Sequence, residues 1–65
     1  MVMLEANDII ELRKALKLSA KLFGERIGVT GNTVFQWESG SRFPSRRHQY
    51  VLAELMKEAA LLRGS

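Results

Sequence analysis

Asn32 and Gln36 are the residues whose type and spacing most directly suggest chemistry. A side-chain amide carries a donor and an acceptor at the separation of adenine N6 and N7, and two amides four residues apart share one face of a helix. Such a face can read base edges, although amides are also ordinary occupants of helix surfaces. Around the pair stand groups suited to phosphate: Ser19 and Lys21 before it, then Ser41, Arg42, Ser45, Arg46 and Arg47 after it. A run of basic residues is equally compatible with a solvated face. Covalent and metal chemistry have little to work with, since the chain has no cysteine, one histidine, His48, and no carboxylates at metal or acid–base spacing. No catalytic residue, metal or cofactor is expected, and His48 is expected near the cap or surface of the last helix.

These residues need a scaffold, and Ser19 to Gly40 supplies its central part. Two short helical patterns lie here, opened by Ser19 and Thr30 and closed by Gly28 and Gly40. A three-residue junction, Gly28-Val29-Thr30, is too short for antiparallel packing, so the helices must cross as a helix-turn-helix. In the first of the pair, Leu22 or Phe23 and Ile27 are expected inside. Gly24 costs about 1 kcal/mol in helix propensity relative to alanine, which makes sense where the second helix crosses closely. Val34 and Trp37, three apart, should face the core, leaving Asn32, Thr33, Phe35 and Gln36 around the rest. Phe35 has three openings besides plain core filling: thymine methyls, the connector holding Phe43, or a protein partner.

Ile9, Leu12 and Leu16 form one apolar stripe, predicting a first helix from about Asp8 to Leu16 or Lys17, capped by Asn7 or Asp8 with Glu11. Pro44 excludes helix at Phe43, Ser45 caps a longer helix from about Arg46 to Leu61, and that helix carries more apolar surface than one stripe needs. It should therefore wrap the first helix or present a face to another chain. Residues 7–62 are expected to form one domain, with 1–6 and 63–65 frayed. A chain of 65 residues without disulfides has a marginal core, to which a partner chain could add. Ten Lys or Arg against seven Asp or Glu give a net charge of +3, and no acid falls between Ser39 and Ala53. The positive field should thus lie beyond the second helix of the pair, favouring an anionic partner. No apolar run is long enough for a bilayer and the start lacks the features of a signal peptide, so a cytoplasmic location without membrane partners is expected.

From Ile10 to Pro44 the chain resembles the Cro and C1-type helix-turn-helix domains of phage repressors, small bacterial regulators and antitoxins. Leu12-Arg13, Leu18-Ser19, Phe23, Gly24, Ile27-Gly28-Val29-Thr30, Val34, Trp37-Glu38-Ser39-Gly40 and Pro44 carry the likeness. It implies an all-α, four- or five-helix lambda-repressor-like bundle whose recognition helix begins at Thr30. It further implies sequence-specific binding of double-stranded DNA, hence association with the nucleoid, and regulation of repressor or antitoxin type. Gly31, Asn32, Thr33, Phe35 and Gln36 would face bases. Arg13 and Glu38 would form a mostly buried ion pair, in keeping with the need of an acid in a last helical turn for a basic partner. A homodimer through the last helix and chain end, or a toxin or other protein partner, would complete the assembly. Two positions depart from the family pattern: Gly31 lacks the long polar side chain common at the head of the recognition helix, and Ala20 replaces a frequent glutamine. Together with Phe35, these departures make the reading face less polar than usual, which would also suit an interaction module that keeps the fold without reading DNA.

Overall fold

A computed structural model of the protein describes residues 4–62. Four helices follow one another, α1 (Ala6–Ala15), α2 (Ala20–Ile27), α3 (Gly31–Ser39) and α4 (Arg46–Leu62), with no strand among the described residues. The all-α expectation holds, with four helices. Each of the two central helices starts as its sequence dictates: Ser19 Oγ accepts from Leu22 N–H and Thr30 Oγ1 from Thr33 N–H, both at 3.2 Å. Gly28 and Gly40 close them in the left-handed region at φ 96° and 82°.

Phe23, Ile9, Leu52 and Val34 are completely buried and form the centre, with Trp37, Leu12, Ile27, Leu55, Ala59 and Ala20 around them. α3 packs on α2 and α1, and α4 lies across α1 and α2. Phe23, not Leu22, is the inward residue of α2; Leu22 is half exposed. Glycine is required at position 24 by the turn rather than by the body of α3. A Cβ there would stand 2.6 Å from the Val29 carbonyl oxygen and 3.1 Å from Thr30 backbone atoms. The same turn is fastened to Gly24, whose carbonyl accepts from Gly28 N–H at 2.7 Å and Val29 N–H at 2.9 Å.

The N-terminal boundary departs from the sequence expectation. α1 starts at Ala6, with Glu5 as its cap, and the Asp8 carboxylate accepts from Glu5 N–H at 2.9 Å. Leu4 is not frayed but joins the core, 4% exposed. Its N–H donates to Gln49 Oε1 at 3.0 Å and its carbonyl accepts from Gln49 Nε2 at 3.4 Å. The reason is the residue type at 49: an amide buried on the inner face of α4 needs a donor and an acceptor, and an extended backbone offers both. The other residues expected to fray, 1–3 and 63–65, lie outside the described residues.

α1 ends one residue before the expected limit. Lys17 takes the left-handed conformation at φ 57° while Lys17 N–H reaches Lys14 O at 3.0 Å and Leu18 N–H reaches Arg13 O at 3.2 Å. This pairing closes a helix whose sequence offers no glycine at that point. Of the two roles expected of α4, the structure has it packing on α1, with Leu52, Leu55 and Ala59 turned inward, while Tyr50, Met56, Leu61 and Leu62 are exposed. No helix among the described residues is long and apolar enough to cross a membrane.

Candidate nucleic-acid interface

Burial of Val34 and Trp37 turns the opposite side of α3 outward, and with it Asn32, Phe35 and Ser39, which are exposed, and Gln36 and Thr33, which are half-buried. Thr33 is partly engaged inside the protein, since its hydroxyl lies 3.1 Å from that of Thr30. Gln36 is held by the backbone around it: its carbonyl accepts from Ser39 Oγ at 3.1 Å and from Arg42 N–H at 3.2 Å. The connector after α3 is thereby pinned to the helix it follows. The side-chain amides of Asn32 and Gln36 have no hydrogen-bond partner among the described residues.

Gly31 stands against α2. A Cβ at this position would lie 3.2 Å from Lys21 N and 3.4 Å from the Ala20 carbonyl carbon. The first turns of α2 and α3 therefore approach closely here, and Ala20, itself buried, belongs to the same contact. The same approach sets Lys21 beside the N-terminal end of α3.

At the other end of α3, Ser39 and Ser41 hydroxyls lie 3.0 Å apart, and Ser45 caps α4, accepting from His48 N–H at 3.4 Å with its Oγ 3.1 Å from His48 Nδ1. The His48 ring also meets Trp37, with centroids 5.4 Å apart, so the start of α4 touches α3 at this ring contact. His48 is thus cap-proximal, as expected. Arg42, Arg46 and Arg47 are exposed, and like Lys21 none of them has an acidic partner among the described residues. The first turns of α2, α3 and α4 contain no acid, which leaves three positive helix ends unopposed. The phosphate candidates therefore form two groups, Ser19 with Lys21 near the head of α3, and Ser41, Arg42, Ser45, Arg46 and Arg47 beyond its tail.

Arg13 and Glu38 form the expected pair. Arg13 Nε donates to Glu38 Oε2 at 2.6 Å and Nη2 to Oε1 at 3.2 Å, while Nη1 donates to the Leu18 carbonyl at 3.3 Å. Their side chains are 22% and 10% exposed. The Glu38 hydrogen bond raises the guanidinium pKa above its ordinary value, against the opposing effect of burial. Since α1 and α3 are locked by a two-pronged bond, the orientation of the outward face is fixed relative to the body of the domain.

Residues 9–58 match the model of the Helix-turn-helix family. The chain belongs to the Cro/C1-type helix-turn-helix family. The helix-turn-helix match supports a DNA-binding regulator in general terms, and this family is not typically enzymatic. No match was found among curated proteins or among solved structures. Within the helix-turn-helix frame, α2 and α3 are the motif proper, with α3 as its second helix. Sequence reasoning missed Leu4 and Gln49, which hold the N-terminal segment against α4. A polar residue three before Leu52, in phase with the buried stripe, was the available signal.

Proposed function

We propose that this helix-turn-helix protein is a sequence-specific, double-stranded DNA-binding transcriptional regulator of repressor or antitoxin type, acting in the cytoplasm on the nucleoid. The observation that carries the reading is the pair of unpartnered amides, Asn32 and Gln36, one helical turn apart on the outward face of a helix braced by Arg13–Glu38. α3 would lie in the major groove, with the amides on base edges and the two basic and hydroxyl groups on phosphates to either side. A module of this size buries limited surface, so a homodimer on a two-fold site would raise affinity. Exposed Met56, Leu61 and Leu62 on α4 suit such pairing. So does a groove of about 360 Å³ between α1 and α4, floored by Leu12, Ala15, Met56 and Ala59 and edged by Asp8 and Glu11. The same apolar stretch favours a second reading, in which it docks a toxin or other protein.

Selection of a preferred duplex from a random pool at stated salt tests the proposal, followed by titration of that duplex and a scrambled one. Gln36→Ala should erase the preference, whereas Arg46→Ala should weaken both duplexes alike and reduce the salt slope by about one. A palindromic selected site would support pairing. Equal losses on all duplexes for both variants would remove Gln36 from base reading. No enrichment would leave the protein-docking reading in place.

A further inference from the structure

Phe35 is the largest side chain on the outward face of α3, and at 58% exposure it takes no part in the core that Val34 and Trp37 fill. No ring contact joins it to Phe43 among the described residues; the one aromatic contact there is Trp37 with His48. It follows Asn32 by three residues and precedes Gln36 by one, so Asn32 and Phe35 are surface neighbours with Cβ atoms about 5–6 Å apart. On a duplex this span lies between one and two base steps of about 3.4 Å. An amide that pairs with adenine N6 and N7 faces an A·T pair, and the major-groove edge of that pair also carries the thymine C5 methyl. This methyl is the apolar group that the groove edges offer, whereas a G·C pair would set polar atoms against the ring.

Resting on the DNA reading proposed above, we infer that Phe35 is a specificity determinant that packs on a thymine methyl, so that the preferred site holds a thymine paired with, or next to, the adenine read by Asn32. The polar and apolar halves of α3's outward face then read the two halves of A·T-containing steps. The protein would discriminate the methyl itself and not merely the base pair.

The experiment takes the duplex selected from the random pool and replaces its thymines one at a time by deoxyuridine, which exchanges a methyl for hydrogen and leaves pairing intact. Affinities are measured at fixed salt for the wild-type protein and for Phe35→Ala, whose fold is checked by circular dichroism. At one or two positions the wild type should lose about fourfold per methyl, the worth of one buried carbon. Phe35→Ala should bind the parent duplex more weakly and should not respond to the exchange at those positions. A wild type indifferent to every exchange, or a variant that responds as strongly as the wild type, overturns the inference while the DNA reading stands. Failure to enrich any duplex overturns both.

Discussion

Replacing Gln49 by alanine tests how the N-terminal segment is held. In the wild type one buried amide satisfies both the N–H and the carbonyl of Leu4, at 3.0 and 3.4 Å, and Leu4 is 4% exposed. After Gln49→Ala two outcomes compete. If Leu4 stays docked, a donor and an acceptor are left without partners, at about 1–3 kcal/mol each. If Leu4 leaves, about 1.5–3 kcal/mol of side-chain burial is lost, but about 1–2 kcal/mol of backbone entropy returns for each freed residue. Undocking is the cheaper route, and with the cavity left at position 49 the net loss should be about 1–2 kcal/mol. In a domain of this length that lowers Tm by about 5–15 °C. Leu4→Ala should cost a similar amount. The double variant decides the matter: once the segment has left, the second substitution removes little, so the two losses should fall short of additivity by about 1 kcal/mol. Thermal and urea unfolding followed by circular dichroism would measure all four proteins. Additive losses, or a Gln49→Ala protein as stable as the wild type, would refute the clamp.

Two further substitutions probe the frame of the interface. Arg13→Leu leaves Glu38 mostly buried without its partner and should cost about 2–4 kcal/mol, less than a fully buried pair because both groups retain some solvent; Arg13→Leu combined with Glu38→Leu should recover much of that loss in urea titration. Lys17→Gly relieves a left-handed backbone at φ 57° and should raise stability by about 1 kcal/mol, read as an upward shift in the urea midpoint with an unchanged slope.

The central helix pair was legible because its punctuation is local. Ser19, Thr30, Gly28 and Gly40 each act on their own turn of backbone, so their residue types alone mark the four helix ends. Val34 and Trp37 were legible by spacing, and Arg13–Glu38 by resemblance. What escaped was non-local. The Leu4–Gln49 clamp joins residues 45 apart, and no periodicity links a leading leucine to an amide in the last helix. The close approach at Gly31 likewise involves another helix, at Lys21. Phe35 had open alternatives because an apolar residue beside two amides fits a helix edge as well as an exterior, and the exact phase of burial decides between them.

The contact between Trp37 and His48 has a practical consequence. The chain has a single tryptophan, so emission excited beyond the absorption of Tyr50 arises from one indole at the seam where the motif's second helix meets the last one. The imidazole ring of His48 lies against this indole, and a duplex gripping the arginines around His48 would disturb that contact. Binding should therefore register as a change in intrinsic light output, with no attached dye.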